Sequence, residues 1–229
     1  MAQVCVFDVN ETLLDVGALD PRFARTFGDA SMRREWFTQM LQLAFVGIIT
    51  HTYIDLSAAG RAALEVVATR HGAHVSDEDT QNILDGMREL PPHPDVRDAL
   101  EQLRAAGMRL ATLTNSPEDV TQAQLAHAGL RGYFEQALSA DSIQRLKPAP
   151  EAYRMAAERL GVATGEILFV AAHSWDVAGA HHAGCATAFL KRPGMVLDSL
   201  APRPSIIADN LHALADQIVS SNGAAIERQ

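Results

Sequence analysis

The chain has 229 residues with a formal net charge of −9, and 48% of its residues are hydrophobic. This acidic composition is typical of a globular protein and argues against nucleic acid as a partner, because phosphate backbones are bound by clusters of Lys and Arg. No run of about 18 apolar residues and no signal-peptide pattern occurs, so we expect no membrane span and a cytoplasmic location. Cys5 and Cys185 are expected to be buried free thiols, as suits a reducing compartment.

The first predicted element is a buried strand that ends at Asp8. Residues 4–7 are all apolar, and a polar, turn-prone stretch follows the acid. Apolar runs of about 4–8 residues are typical of buried strands. In open parallel sheets, ligands bind beyond the carboxyl ends of the strands. Asp8 is therefore a candidate active-site carboxylate, and the alternative is an ordinary turn aspartate.

The next stretch has helical periodicity. Its apolar spacing predicts helices over 33–49 and 57–71, and Ser76 followed by three acids predicts the start of a third. The sequence Pro-Pro-His-Pro at 91–94 then interrupts the pattern, since proline removes a backbone donor and restricts the residue before it. These signals predict a helical cap domain over 16–90, a core domain formed by 1–15 and 91–219, and a polar tail over 220–229.

From Asp95 onward, predicted helices and strands alternate. This alternation indicates an α/β fold, a Rossmann-like doubly wound parallel sheet with right-handed crossovers. The predicted elements are helices over 96–106, 117–128, 151–160 and 175–183, and strands over 109–113, 136–139, 167–171 and 187–190.

Four apolar runs are each followed by polar residues in a fixed order. The first precedes Asp8, the second precedes Thr114-Asn115-Ser116, the third precedes Lys147-Pro148, and the fourth precedes Asp176. In this order the motifs resemble the haloacid dehalogenase superfamily, and the resemblance covers nearly the whole chain. Phosphatase members carry a second Asp as acid and base two residues after the nucleophile, where this chain has Asn10. Since Asn cannot protonate a leaving oxygen, the chain resembles more closely the type II 2-haloacid dehalogenases.

The fourth motif also resembles the dehalogenase branch. Trp175-Asp176 matches the Trp-Asp pair of that branch, and Ala172 stands where phosphatases carry the first of two acids for Mg²⁺. A site left with Asp8 and Asp176 is weakened for Mg²⁺, which favours oxygen ligands in near-octahedral geometry. We therefore expect no metal and no cofactor.

The resemblance implies a role for each matching residue. Asp8 would attack the halogen-bearing carbon and form an ester that water hydrolyses. Thr12 would hold the loop or the carboxylate, Lys147 would neutralise the nucleophile, and Asp176 would position Lys147 or the water. A small carboxylate substrate would accept hydrogen bonds from the backbone N–H groups of Val9 and Asn10 and from the Thr114 hydroxyl. Asn115 would line the halide site, and Trp175 would form part of the pocket wall. The implied substrate-binding residues are Val9, Asn10, Thr114, Asn115, Tyr153 and Trp175.

Three positions depart from the family pattern. Counting from Trp36 places Gly47 where known dehalogenases carry a halide-binding Arg, and Arg33 and Arg34 lie about 20 Å away along the helix at 1.5 Å per residue. Halide contacts would then come from His51 or Asn115, or be absent. The Ser and Asn that hold the hydrolytic water fall on Ala171 and His173. A neutral His173 could itself be the general base, and the alternative is a tolerated polar residue.

The expected function is metal-independent hydrolytic dehalogenation of a short 2-haloalkanoic acid by a homodimer. One alternative is a Mg²⁺-dependent phosphomonoesterase or another hydrolase of the superfamily. Another is a catalytically silent relative that binds a small carboxylate or a protein partner.

Overall fold

The computed structural model describes residues 4–226 and has a six-stranded sheet in which every neighbouring pair is parallel. The spatial order is β3-β2-β1-β4-β5-β6. This order is the one found in Rossmann-type doubly wound sheets, so the predicted fold class is confirmed. The strands are β1 Val4–Phe7, β2 Arg109–Thr114, β3 Gln136–Ser139, β4 Ile167–Ala171, β5 Ala186–Leu190 and β6 Ile206–Ala208.

The order of the strands reverses between β1 and β4. The chain builds outward from β1 through β2 to β3, and then returns to place β4 on the other side of β1. Phe7 pairs with Val170, and the backbone N–H of Asp8 donates to the Val170 carbonyl at 3.0 Å. Diverging connections at such a reversal leave a crevice at the carboxyl ends of the strands. Asp8 therefore lies at the position where this fold binds ligands.

Four helices follow β1 in the chain and precede the proline-containing stretch at 91–94. They are α1 Asp20–Phe27, α2 Met32–Ile49, α3 Leu56–His71 and α4 Asp77–Gly86. The indole N–H of the fully buried Trp36 donates to the Gly60 carbonyl at 2.8 Å, which joins α2 to α3. A side chain at Gly60 would contact Leu84 at 3.3 Å, so a glycine there allows the close approach. The division of the chain into a cap and a core domain stays a prediction.

The remaining helices flank the sheet. They are α5 Val96–Ala105, α6 Glu118–His127, α7 Pro150–Leu160, α8 Ser174–His182 and α9 Leu211–Ile226. Sequence periodicity did not predict β6 or α9. The polar tail predicted over 220–229 is helical as far as Ile226, where α9 ends. Residues 227–229 of that prediction lie outside the described residues.

Two expectations from composition can be compared with the fold. Within residues 4–226, no helix combines the length and apolarity that a bilayer crossing requires. Cys5 and Cys185 are both buried free thiols, as predicted. Burial raises the pKa of each to about 12, so both are neutral packing residues at physiological pH.

Candidate active site

Three buried charges meet beyond the carboxyl end of β1. The Lys147 Nζ lies 2.9 Å from Asp8 Oδ1 and 2.6 Å from Asp176 Oδ2. The Lys147 side chain is 1% exposed, and those of Asp8 and Asp176 are 7% and 0% exposed. Tyr153 donates its hydroxyl hydrogen to Asp176 Oδ1 at 2.5 Å. One ammonium group thus bridges two carboxylates that would otherwise repel each other inside the protein.

The elements around the sheet hold these side chains in place. Asp8 follows β1, Lys147 precedes α7, Tyr153 lies in α7 and Asp176 lies in the first turn of α8. Gly179 of α8 permits their approach, since a Cβ atom there would lie 2.5 Å from the Tyr153 hydroxyl oxygen and 2.6 Å from the Pro148 Cβ. Any larger residue at 179 would push α7 and α8 apart.

Burial and charge set the protonation states of the three groups. Burial raises the pKa of Asp8, but the Lys147 and His173 charges outweigh it and bring the pKa well below its usual range. Burial, together with the Asp8 charge, raises the pKa of Asp176 to about 6 despite its contact with Lys147. Burial lowers the pKa of Lys147, yet the two carboxylates outweigh it and raise the pKa overall. At neutral pH Asp8 is therefore an ionised carboxylate beside an ammonium group.

Thr12 connects the nucleophile loop to the loop after β4. Its hydroxyl donates to Asp8 Oδ2 at 2.7 Å and accepts from the backbone N–H of Ala172 at 3.0 Å. Glu11, the residue before it, has a φ of 61°, a left-handed conformation that is uncommon outside glycine. The tight turn brings the Thr12 hydroxyl back to the carboxylate.

Asn10 holds the site together through its side chain. Its amide group donates to Ser116 Oγ at 3.2 Å, and its carbonyl accepts from Gln124 Nε2 at 2.9 Å. Within residues 4–226, the backbone N–H groups of Val9 and Asn10 make no protein hydrogen bond. Both residues are buried, so these donors are available for an acceptor on a ligand.

Thr114 and Asn115 end β2 next to Asp8 but are used differently. The Thr114 hydroxyl accepts from the Ser116 backbone N–H at 3.2 Å and keeps its own hydrogen for a ligand. Asn115 makes two hydrogen bonds to the backbone of Lys147, donating to its carbonyl at 2.9 Å and accepting from its N–H at 2.7 Å. These contacts support a role for Asn115 in positioning Lys147.

His173 forms a second charged cluster beside Asp8. Its Nε2 lies 2.8 Å from Glu11 Oε2, and its Nδ1 lies 3.6 Å from Asp8 Oδ2, slightly beyond hydrogen-bond range. Arg33 Nη1 of α2 lies 3.6 Å from the other Glu11 oxygen. The Phe37 ring stacks on the imidazole, with 6.1 Å between ring centroids.

The protonation state of His173 differs from the sequence prediction. Burial lowers its pKa, but the Asp8 and Glu11 carboxylates outweigh it and raise the pKa to about 9. In the resting protein His173 is therefore an imidazolium at neutral pH, whereas the sequence had left open a neutral base or a tolerated polar residue.

The structure places Gly47, the position reached by counting from Trp36, away from the Asp8 carboxylate. Gly47 and His51 border a separate cavity of about 270 Å³, and a Cβ atom at 47 would lie 2.7 Å from the Thr52 carbonyl oxygen. His51 faces Arg145 at 3.4 Å and contributes nothing at Asp8. The N-terminal half of α2 lies over the Asp8 loop instead. Arg33, expected about 20 Å from the halide position, therefore reaches Glu11.

A cleft of about 920 Å³ opens beside this cluster. Glu11, His173 and Trp175 lie on its inner wall, and α2 supplies much of the opposite wall. The Trp175 ring lies 5.3 Å from that of His173. Trp175 thus lines this cleft, and its predicted contact with a substrate stays a prediction. Asp8 lies directly behind His173.

The site offers little to a metal ion. No group of three or more His, Cys, Asp or Glu side chains with metal-ligand geometry is found in the part of the chain that the structure describes. Asp8 and Asp176 do not fit Mg²⁺, because the Lys147 ammonium group occupies the position between them.

Known proteins share this architecture. The family model of haloacid dehalogenase-like hydrolases matches residues 2–184. The (S)-2-haloacid dehalogenase of Pseudomonas sp. strain YL is 28% identical to this chain, and the match covers 96% of this chain and 95% of that enzyme's sequence. The (S)-2-haloacid dehalogenase 4A of Burkholderia cepacia is 31% identical over 84% of each chain. The L-2-haloacid dehalogenase of Xanthobacter autotrophicus superposes with a TM-score of 0.89 at 26% identity, covering 95% of this chain and 98% of that one. As its four motifs predicted, the chain belongs to the haloacid dehalogenase-like hydrolase family.

Proposed function

We propose that this protein hydrolyses 2-haloalkanoic acids to 2-hydroxyalkanoic acids and halide through an ester at Asp8. The observation that carries the proposal is an ionised Asp8, bound by Lys147 and Thr12, beside an Asn10 whose amide is held by Ser116 and Gln124. This arrangement supplies a nucleophile, and Asn10, at the position of the phosphatase acid, cannot protonate a leaving oxygen. A halide leaves as an anion and needs no proton. The activity named for the relatives agrees with this chemistry.

The first step forms the ester. A carboxylate oxygen of Asp8 attacks C2 of the substrate, and the carbon–halogen bond breaks with its electron pair leaving on the halide. The free N–H groups of Val9 and Asn10 and the Thr114 hydroxyl are donors for the substrate carboxylate. Lys147 and protonated His173 place two positive charges beside the reaction centre, where an anion is released.

The second step hydrolyses the ester. Once Asp8 is esterified its charge is gone, so burial and the lost contact both lower the pKa of His173. Neutral His173 can then accept a proton at Nδ1 from a water that attacks the Asp8 carbonyl carbon. The tetrahedral species collapses and expels the alkoxide, which takes back the proton held on His173 Nδ1 to become the 2-hydroxy acid. The Asp8 carboxylic acid then gives its proton to neutral His173, which restores the resting charge pair. Asp8 is regenerated as a carboxylate.

Glu11 orients the proposed base. It accepts from Nε2, so the other nitrogen faces Asp8, and Nδ1 has no hydrogen-bond partner among the described residues. Arg33 and the buried surroundings keep Glu11 in place. Glu11 is a positioning residue, comparable to the carboxylate that orients histidine in hydrolytic triads.

Replacing His173 by Ala should separate the two steps. With 2-chloropropionate, rapid-quench assays should show about one equivalent of halide per site, followed by turnover slowed on the order of 10²–10⁴-fold. Glu11→Gln should retain the initial burst of halide release. The apparent pKa in the pH–rate profile of ester hydrolysis should fall, since a contact that raises the pKa of His173 is lost. Ester hydrolysis at the wild-type rate in His173→Ala would exclude His173 as the base.

The overall activity is tested by halide release in the presence of EDTA. Suitable substrates are chloroacetate, fluoroacetate and the two enantiomers of 2-chloropropionate. A Mg²⁺-dependent phosphomonoesterase is disfavoured, because Lys147 bridges the carboxylates that would bind the ion and Asn10 cannot act as the acid. A silent ligand-binding relative would release no halide. The homodimer stays a prediction.

A further inference from the structure

The cleft beside His173 is much larger than a short haloacid needs. Chloroacetate and 2-chloropropionate have five or six heavy atoms, and at about 30 Å³ each they occupy roughly 150–180 Å³. The cleft has a volume of about 920 Å³, within the range of pockets for ligands several times that size. A short substrate would leave most of it filled with water.

Apolar side chains line the cleft next to the charged cluster of Glu11, Arg33 and His173. Phe37 stacks on His173, and Trp175 packs edge-on against Phe45 with 5.2 Å between ring centroids. Leu41, Val46 and Ile49 continue this surface along α2. Val46 is 49% exposed and Ile49 is 75% exposed, although both are large and apolar. Apolar surface left exposed in a cleft gains free energy when a ligand covers it.

Two residues that line the cleft also belong to the surroundings of the Asp8 carboxylate. Glu11 and His173 both border the cleft, and His173 Nδ1 is 3.6 Å from Asp8. Asp8 itself does not line the cleft, so a C2 substituent of a substrate bound at Asp8 would enter the apolar region beside the His173–Phe37 pair. The substrate carboxylate stays at the opposite side, at the free N–H groups after Asp8.

We infer that the preferred substrates are 2-haloalkanoic acids whose C2 substituent is a long apolar chain, with the chain bound along α2. This inference rests on the function proposed above and replaces the short substrate that the sequence suggested. Each methylene buried in the cleft stabilises the bound state by an amount that corresponds to about a fourfold gain in kcat/KM. The gain ends where the chain reaches solvent.

The test compares 2-chloropropionate, 2-chlorohexanoate and 2-chlorodecanoate. We expect kcat/KM for halide release to rise by at least tenfold from the first to the second acid and further to the third. Equal or falling values along the series would overturn the inference. Val46→Trp and Leu41→Trp fill the cleft and should lower the decanoate-to-propionate ratio at least tenfold. Ala62→Trp, on the exposed surface of α3 away from the cleft, should keep it.

A binding measurement separates this inference from the proposed chemistry. Calorimetry with hexanoate and decanoate, which carry no halogen, should give a lower Kd for decanoate, and Val46→Trp should remove the difference. If this preference occurs without halide release from any haloacid, the dehalogenase proposal fails and the apolar chain site stands. If halide release occurs without any chain-length preference, the chain site fails and the dehalogenase proposal stands.

Discussion

Replacing Asp8 by Asn should reduce halide release by at least about 10⁴-fold, the scale seen when a catalytic nucleophile is removed. The amide is nearly the same size as the carboxylate, but it is a far weaker nucleophile at carbon. It also removes the negative charge that Lys147 and His173 surround. Halide release from 2-chloropropionate and 2-chlorodecanoate, measured with EDTA present, gives the result.

Asn10→Asp is the matched control for this change. It places a second carboxylate two residues away in the same loop and disturbs the contacts with Ser116 and Gln124, but it leaves Asp8 intact. We expect it to retain measurable halide release. Wild-type turnover by Asp8→Asn, or equal losses in the two variants, would contradict the assignment of Asp8 as nucleophile.

Replacing Lys147 by Met should destabilise the protein by about 3–5 kcal/mol at neutral pH, the usual cost of removing one partner from a buried ion pair. Asp176 would lose its cationic partner and Asp8 would keep only His173, 3.6 Å away, in a site where burial raises the pKa of both carboxylates. Denaturant unfolding at pH 7.5 measures the loss. The loss should shrink as the pH falls, because protonation removes the unpaired charges.

A double variant distinguishes charge from packing. Lys147→Met combined with Asp176→Asn removes one of the two stranded charges and should recover part of the lost stability. If the double variant is destabilised by the sum of the two single changes, the loss reflects packing. If Lys147→Met unfolds at the wild-type denaturant midpoint, the account of Lys147 as the bridge between the carboxylates is wrong.

His173 adds a pH dependence of its own. Its pKa is raised to about 9 in the folded protein, above the ordinary histidine value near 6.5. Its contribution to stability is therefore complete below about pH 6.5 and is lost as the pH rises through about 9. The contribution belongs to the same contacts with Asp8 and Glu11 that the proposed mechanism uses.

The sequence was most informative where local signals and topology agree. The strand before Asp8 and the alternation after Asp95 are set by apolar periodicity and by the geometry of parallel sheets. The convergence of Asp8, Lys147 and Asp176 follows, because residues at the carboxyl ends of parallel strands meet at one edge. The structure gives their distances, and the roles that the family resemblance implied for them stay predictions.

The sequence was least informative about the helical segment. Which half of α2 lies over Asp8 depends on how the helix packs. Spacing from Trp36 alone led to Gly47, which borders a separate cavity, whereas Phe37 stacks on His173 beside Asp8. The contact between Glu11 and His173 joins residues 162 positions apart. A signal for it was present, because an acid in the nucleophile loop and a histidine at the hydrolytic-water position are complementary. The helix α9 was missed because its polar C-terminal part resembles a tail.

The central claim is that Asp8 carries the covalent intermediate, and a single turnover in H₂¹⁸O tests it most directly. With enzyme in excess over 2-chlorodecanoate, water attacks the Asp8 carbonyl, so ¹⁸O should appear in the carboxylate of Asp8. The first molecules of 2-hydroxy acid should carry unlabelled oxygen from the enzyme. Peptide mass spectrometry locates the label. If ¹⁸O enters the product in the first turnover and Asp8 stays unlabelled, water attacks the substrate directly and the ester mechanism is excluded.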